Sequence, residues 1–389
     1  VFLTLSQWTQ ATLPNGPLTD LISQGLIPGL GGVMIFIPQI SLLFGFIFVL
    51  EETGYMARVV FITDRLMRPF GLNGRSIVPL ISGVACAIPA VMATRTIDHW
   101  KERLITIMVV PLMSCSARLP VYTLLIALVV PDVSWGIFNL KGMVLMALYL
   151  VGFVAALFSA LLFKWILKTK EKSFLVMELP DYKTPRWSNL GITMLEKCKI
   201  FVWEAGKVIL AISVILWILA SYGPGDQMAS AIAKIPVPIE SAQQADYQQQ
   251  VKSVALEHSY IGIAGKWMEP AIQPLGYNWQ IGISLITSFV AREVFVGSMA
   301  TIYSVGETFE NDQTLLERMS HQRNDLGKPV YTLASGISLM LFYAFAMQCM
   351  STLAVVRRET KSWKWPLIQL VYMTALAYIS ALIAFNLLN

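Results

Sequence analysis

The feature that most constrains this chain is a series of apolar runs, each about as long as a membrane is thick. A helix needs ~20 residues to cross a hydrocarbon core of about 30 Å. Only 14% of the residues are charged, against about 25% in a soluble domain. We therefore predict an all-α fold, a polytopic integral membrane bundle of helices embedded in the lipid bilayer. The runs span residues 27–50, 76–94, 104–130, 142–167, 200–222, 281–303, 331–356 and 365–388.

Some of these runs are interrupted in a way that an ordinary spanning helix is not. Residues 76–94 contain Pro79, Gly83 and Pro89 and are flanked by arginine at both ends. Proline lacks a backbone N–H and breaks the helical hydrogen-bond ladder. Non-helical backbone at membrane depth is tolerated only inside protein or along a wet cavity. We therefore predict re-entrant or broken helices at such places.

Two parts of the chain resemble each other. Residues 57–61 resemble residues 291–295, and the surroundings of Cys86 recur around Cys349. This pattern predicts two related gate repeats, and paired interrupted segments in matching halves point to a transporter binding site. Basic flanks put both Arg95 and Arg358 inside, which favours parallel halves, although the sequence leaves an inverted arrangement open. The predicted divisions are 1–26 (N-terminal remnant and external loop), 27–168 (first gate half), 169–199 (cytoplasmic connecting segment), 200–276 (a membrane helix plus a long external segment) and 277–389 (second gate half).

The first candidate ligand is Cys86, which lies three residues before Pro89 in an interrupted run. The proline is expected to free nearby carbonyls from the helical ladder. A thiolate beside free carbonyls is a suitable ligand set for a divalent cation, and Fe²⁺ accepts thiolate, imidazole and carboxylate ligands. A buried cysteine can equally be no more than a small apolar side chain, so the sequence leaves both interpretations open.

A second polar cluster lies inside the third apolar run. It contains Ser114, Cys115, Ser116 and Arg118, and Pro120 follows it. The hydroxyls and the thiol are candidate metal ligands. An ionisable residue inside the membrane is costly and marks a functional site by default. Because Arg118 cannot bind a cation, we expect it either to pair with a carboxylate or to hold carbonyls that the prolines free.

Two further groups complete the candidate metal ligands. Gln348 and Cys349 represent the second half, where the adjacent methionines are interpreted as packing residues. Glu51 and Glu52 end the first run. They are positioned either to attract or coordinate a divalent ion or to form a solvated helix end.

Other parts of the sequence limit the possible functions. Arg292 and Glu293 lie inside an apolar run and are predicted to form a self-contained ion pair that shapes the second half. The three histidines lie at the edges of runs, and no G-x-x-x-x-G-K-[ST] or H-E-x-x-H motif is present. We therefore expect no histidine metal site in the membrane and no nucleotide hydrolysis by these residues. Basic residues gather beside the apolar runs, which is the positive-inside pattern and no sign of a nucleic-acid partner.

The motifs around these residues resemble the ferrous iron transport protein B family, FeoB. The resemblance runs in order over nearly the whole chain. One departure is that Cys86 is followed by Ala87 and Ile88, where the family often shows Asn and Val. The segments that carry the resemblance are 51–58, 86–96, 113–122, 176–180, 291–295 and 357–365.

The resemblance implies import of Fe²⁺ across the bacterial cytoplasmic (inner) membrane. It places Cys86, Cys115 and Cys349 at the positions of the family's intramembrane cysteines. It also implies an N-terminal GTP-binding domain in the full-length protein, which alone would bind GTP and Mg²⁺. This chain, a permease fragment, is therefore not expected to be an enzyme. A small accessory cytoplasmic protein and a homo-oligomer are further expected partners.

The residues leave other functions open. One is the transport of a different divalent metal, such as Mn²⁺, Co²⁺ or Zn²⁺. Another is a gate-type carrier for a small organic solute such as a nucleoside, for which only Tyr122 and Gln348 offer suitable side chains near the interruptions. A third is a sensor or scaffold that transports nothing, which would leave the polar clusters inside the apolar runs without a purpose.

Overall fold

The computed structural model describes residues 2–14, 16–135, 138–168, 182–224, 227–233, 244–289, 292, 294–303, 312–323 and 329–389. Within these residues the fold is all-α, as predicted. One antiparallel pair of two-residue strands, β1 (Ser134–Trp135) and β2 (Phe138–Asn139), is the exception.

The helices are α1 (Phe2–Thr12), α2 (Pro17–Asp20), α3 (Ile27–Glu52), α4 (Tyr55–Met67), α5 (Ile77–Ala85), α6 (Ala87–Ala93), α7 (Trp100–Val109), α8 (Leu119–Val129), α9 (Leu140–Leu167), α10 (Trp187–Ser221), α11 (Gln227–Ile232), α12 (Gln244–Glu257), α13 (Tyr260–Ile272), α14 (Trp279–Thr287), α15 (Val294–Ile302), α16 (Asp312–Ser320), α17 (Leu333–Phe345), α18 (Met350–Thr360) and α19 (Lys364–Leu388). A π-helical turn covers Leu21–Leu26, and 3₁₀ turns cover Arg68–Phe70, Gly74–Ser76, Thr94–Thr96, Val110–Leu112, Ser116–Arg118 and Gln273–Leu275.

Five helical stretches in the described part of the chain are long and apolar enough to cross a membrane. Two of them are interrupted: α7–α8 (Trp100–Val129) and α17–α18 (Leu333–Thr360) are each 72% buried inside the protein. The continuous stretches α9 and α19 are only 28% and 22% buried. The interrupted helices therefore form the core of the bundle, where protein surrounds their irregular backbone, and the continuous helices surround them. The fifth stretch is Asn189–Ser221.

A packed pair of short helices precedes each interrupted helix. α5 and α6 pack against each other about a bend at Cys86, and α14 packs against α15. Each half of the fold therefore contains a packed pair, an interrupted span and a continuous span. The sequence resemblance does not match these corresponding elements. It pairs Cys86, which lies in a packed pair, with Cys349, which lies in an interrupted span.

The two interrupted helices run in opposite directions. Arg103, near the start of α7, contacts Glu359, near the end of α18, with 2.7 Å between Nη2 and Oε2. At the other end, α8 packs against α17, where a methyl group on Gly336 would lie 2.4 Å from Cγ2 of Val129. The first interrupted span thus starts where the second one ends. The halves are inverted, so the parallel arrangement that the basic flanks favour is wrong. Arg95 and Arg358 do lie on the same side, but Arg95 follows a packed pair and Arg358 ends an interrupted span, so the two are not corresponding residues.

Basic residues indicate which side faces the cytoplasm. Lys164 lies in the last turn of α9, and Arg357 and Arg358 lie in the last turn of α18. By the positive-inside rule, the side that carries Glu359 is cytoplasmic. The described part of the 306–328 loop, α16, packs against α8. It therefore lies on the opposite side, which the sequence alone does not establish.

Several segments differ in detail from the sequence-based divisions. Where residues 1–26 are expected to form a remnant and loop, the structure has α1, α2 and a π-helical turn, and α3 continues through Pro38 without a break. Residues 169–181 of the predicted connecting segment lie outside the described residues. The rest of that segment leads into α10, and the 200–276 region contains α11, α12 and α13.

The close approach of α8 and α17 gives a first prediction. Replacing Gly336 by Ala is expected to lower the free energy of unfolding by about 1–3 kcal/mol, because the new methyl group would overlap Val129. The measurement is denaturant unfolding in detergent micelles. Gly142→Ala is the control, since a methyl group there would meet nothing within 4 Å. If the double variant Gly336→Ala/Val129→Ala showed the same loss of stability as Gly336→Ala combined with Val129→Ala taken separately, the proposed overlap would be contradicted.

Candidate functional site

Cys86 and Cys349 each immediately precede one of two neighbouring helices, α6 and α18. Each is in an extended conformation, with φ/ψ of −155°/132° at Cys86 and −157°/94° at Cys349. α6 and α18 pack together, and Arg95, just beyond α6, pairs with Glu359 near the end of α18. The two helices therefore run in the same direction over similar lengths. Their first residues, the cysteines, lie at about the same depth in the membrane.

The third cysteine lies in the break between α7 and α8. The hydroxyl of Ser116 donates to the carbonyl oxygen of Ala85 at 3.0 Å, which joins this break to the bend at Cys86. Cys115 is also within electrostatic range of Cys349. All three cysteines are partly exposed and none forms a disulfide. The fold thus brings thiols from both inverted halves into one region near the middle of the bundle.

Arg118 is completely buried and holds the backbone of its own break. Its Nη1 donates to the carbonyl oxygens of Leu112 (3.3 Å) and Met113 (3.2 Å) and to Oγ of Ser114 (3.2 Å). Its Nη2 donates to the carbonyl oxygen of Pro111 at 3.2 Å. One guanidinium group therefore satisfies three carbonyls that the irregular backbone leaves without helical partners. Ser114 accepts one of these hydrogen bonds, and its role as a metal ligand stays a prediction.

The second half uses an arginine in a similar way. Nη2 of buried Arg292 donates to the carbonyl oxygen of Ala346 at 3.2 Å, and the N–H of Met350 donates to the carbonyl oxygen of Phe289 at 3.2 Å. The packed pair α14–α15 is thereby tied to the break between α17 and α18. Nη1 of Arg292 and Oε1 of Gln348 are buried and have no hydrogen-bond partner among the described residues. The predicted ion pair with Glu293 involves a residue outside the described ones.

The start of α18 places two groups near the sulfur of Cys349 that oppose the cost of burying a charged thiolate there. The N-terminus of α18 directs its positive dipole end toward this residue, and Oγ1 of Thr352 donates to its sulfur at 3.0 Å. A nearby positive dipole and a hydrogen-bond donor both stabilise a thiolate. The thiolate is the form of cysteine that ligates metal.

A buried carboxylate closes the cytoplasmic end of this region. Glu359 has a side chain that is only 3% exposed, and it accepts from Arg95 (Nη2–Oε1 2.5 Å, Nε–Oε2 2.9 Å) and from Arg103 (Nη2–Oε2 2.7 Å). These three residues, the Glu359 cluster, join the two inverted halves below the cysteines. Glu359 is not among the site residues predicted from the sequence, although its sequence signal is a lone acidic residue at the end of an apolar run beside Arg357 and Arg358.

Other predicted site residues lie apart from this region or have local roles. Glu51 and Glu52 end α3 at its surface, and no described contact joins them to the cysteines. Pro89 and Pro120 lie in the first turns of α6 and α8, where a backbone N–H has no helical partner to lose. Among the described residues, no three His, Cys, Asp or Glu side chains come together as a compact metal site.

Comparisons with known proteins identify the relatives of this chain. The family described as "Nucleoside recognition" (Gate) matches residues 33–129 and 202–363, which contain all the breaks. The family described as "Ferrous iron transport protein B C terminus" matches residues 145–197. A protein of Leptospira interrogans (strain Fiocruz L1-130) named Fe(2+) transporter FeoB is 46% identical over 375 residues, which are 96% of this chain and 52% of that protein. The chain belongs to the FeoB family.

Other FeoB relatives extend the comparison. A Fe(2+) transporter FeoB of Staphylococcus aureus (strain MSSA476) is 38% identical over 95% of this chain and 49% of its own length. A protein of Porphyromonas gingivalis named Fe(2+) transport protein A/Fe(2+) transporter FeoB fusion protein is 36% identical over 96% of this chain and 45% of its own length. The present chain thus spans about half the length of the FeoB relatives it matches. No solved structure matches it.

Proposed function

We propose that this chain forms the membrane path of a transporter that carries Fe²⁺ across the bacterial cytoplasmic membrane. The observation that carries the proposal is that Cys86, Cys115 and Cys349 lie at three neighbouring helix breaks of two inverted halves. Relatives named Fe(2+) transporter FeoB support iron as the cargo. Thiolates bind Fe²⁺ and other divalent metals such as Zn²⁺. In this proposal the cysteines hold an ion that has lost part of its water shell.

In this proposal the arginines serve the path without binding the ion. Arg118 and Arg292 satisfy carbonyls at the breaks, so that the backbone keeps its irregular shape inside the membrane. The Glu359 cluster lies between the cysteines and the cytoplasm and has to open or rearrange before an ion leaves on that side. Alternating access would then be a movement of one inverted half against the other.

The energy source is placed outside these residues. These residues contain no phosphate-binding G-x-x-x-x-G-K-[ST] loop. The proposal therefore assigns the binding of GTP and Mg²⁺ to none of them. We infer that a GTP-binding domain occupies part of the additional length that the relatives have. The Porphyromonas gingivalis relative is fused to a Fe(2+) transport protein A, which supports a small accessory protein as a partner. A homo-oligomer stays a further proposal.

A nucleoside carrier is the weaker alternative. The Gate family is described by nucleoside recognition, but the curated relatives are named as iron transporters. Near the breaks, Arg118 holds backbone carbonyls and Ser114. Tyr122 and Gln348, the side chains that a nucleoside site would use, each keep a buried oxygen without a hydrogen-bond partner among the described residues. The names of the relatives, and not the geometry, therefore make this alternative the weaker one.

The test is anaerobic Fe²⁺ binding to the purified chain in detergent. The triple variant Cys86→Ser, Cys115→Ser and Cys349→Ser is expected to bind Fe²⁺ at least about tenfold more weakly, because hydroxyl groups are poor substitutes for thiolate ligands. Cys198→Ser is the control, since Cys198 lies within the uninterrupted helix α10. Equal binding by the folded triple variant and the wild type would reject the cysteines as the site.

A further inference from the structure

The last helix carries two polar side chains that reach into the first half. Gln369 is completely buried, in a helix that is otherwise apolar enough to span the membrane. Its Nε2 donates to the carbonyl oxygens of Ile107 (3.0 Å) and Met108 (3.2 Å), and the hydroxyl of Tyr372 also donates to the carbonyl oxygen of Met108. A buried amide in a membrane helix is costly unless it is hydrogen-bonded to something that needs it.

The two carbonyls need these donors because of the break that follows them. In a regular helix the carbonyl of Ile107 would accept from residue 111, but Pro111 has no N–H. The backbone then tightens into a 3₁₀ turn at Val110–Leu112. A 3₁₀ turn shifts hydrogen bonds to i+3 and leaves Met108 without its usual i+4 partner. Gln369 and Tyr372 replace the lost helical bonds.

We propose that Gln369 and Tyr372 are positioning residues that set the location of the Cys115 thiol. Upstream of the break they hold the carbonyls of residues 107 and 108, and downstream Arg118 holds those of residues 111–113. Cys115 follows directly after this clamped segment. Because the clamp residues on α19 belong to the second gate half, that half fixes the geometry of a ligand in the first.

The functional importance of this positioning rests on the proposed function. The positioning of the Cys115 thiol itself is tested without metal. The test measures the alkylation rate of Cys115 by a small maleimide in a chain whose other cysteines, Cys86, Cys198 and Cys349, are serine. Gln369→Met and Tyr372→Phe remove the donors with little change in shape. Tyr378→Phe is the matched control, since it removes the same chemical group from the same helix, where the hydroxyl donates to the carbonyl oxygen of Ala271.

We expect the Cys115 alkylation rate to change by about tenfold in Gln369→Met, less in Tyr372→Phe, and by less than twofold in Tyr378→Phe. The tenfold figure is what loss of a buried hydrogen bond corresponds to. The ring centroids of Tyr372 and Phe163 are 5.1 Å apart, and Tyr372→Phe keeps this ring contact. Tyr372→Phe is therefore expected to fold and to give a result even if Gln369→Met does not fold. Rates equal to those of Tyr378→Phe would overturn the proposal.

A parallel Fe²⁺ titration, with all four cysteines present, separates this inference from the proposed function. If the wild type binds Fe²⁺, Gln369→Met is expected to bind it about tenfold more weakly, and Tyr378→Phe is expected to bind it with unchanged affinity. Unchanged Fe²⁺ affinity in Gln369→Met would overturn the ligand-positioning role. If the wild type binds no Fe²⁺ but the alkylation rates still differ, the positioning of Cys115 stands and the iron function fails.

Discussion

Glu359→Ala is expected to lower the free energy of unfolding by about 3–5 kcal/mol, the usual cost of breaking a buried ion pair. The carboxylate is 3% exposed and forms ion pairs with both Arg95 and Arg103. Its removal leaves Arg103 largely buried without its acidic partner. In the described part of the chain, Nε of Arg103 already has no hydrogen-bond partner. Because α6 and α18 are joined through these contacts, we also expect Fe²⁺ uptake in cells to fall.

The matched control is another arginine–carboxylate pair of the same region. Arg75 and Asp98 are 2.6 Å apart, but the Asp98 side chain is 80% exposed. Asp98→Ala should therefore cost no more than about 1 kcal/mol. Both variants would be measured by denaturant unfolding in the same detergent micelles. Equal losses in the two variants would mean that the Glu359 cluster contributes no more than an ordinary surface ion pair.

The cluster illustrates what the sequence can and cannot predict. Apolar runs, prolines and glycines predict the all-α membrane bundle and the interruption near Cys86, because these are local properties of the chain. The partners of Glu359 are 256 and 264 residues away in the sequence. Nothing in local periodicity specifies such a pair, which depends on the inverted packing of two halves.

The same limit applies to the candidate site. The sequence places Cys115 and Arg118 in an interrupted run and offers two partners for the arginine, carboxylate or carbonyl. The structure selects the carbonyls of Pro111, Leu112 and Met113. Gln369 has no visible role in the sequence, because the carbonyls that explain it belong to α7.

The resemblance between the Cys86 and Cys349 segments indicates two halves but pairs the wrong segments. It suggested a duplication, and the structure has two halves of similar design. In chain order, however, the packed pair α5–α6 corresponds to α14–α15 and not to the segment around Cys349. The two cysteine segments are alike because each starts a helix from an extended residue, and this local requirement can produce similar sequences at positions that are not equivalent.

Arg118→Leu is expected to have the largest effect among single substitutions in the site. It removes the four hydrogen bonds that satisfy the carbonyls of residues 111–113 and the hydroxyl of Ser114. Each buried polar group left unpaired costs about 1–3 kcal/mol, so we expect a loss of about 3–6 kcal/mol in the free energy of unfolding. Fe²⁺ binding should be lost together with the shape of the break, since Cys115 lies within it.

Two further variants distinguish the hydrogen-bond role from a role of charge. Arg118→Lys keeps the positive charge but replaces the planar fork of donors by a single ammonium group. We expect it to recover less than half of the lost stability, because one ammonium group cannot reach all three carbonyls from one position. Arg292→Leu, which removes one hydrogen bond to Ala346, should cost less than Arg118→Leu. If Arg118→Lys restored both stability and Fe²⁺ binding in full, Arg118 would be acting through its charge, and its hydrogen bonds to the break would be incidental.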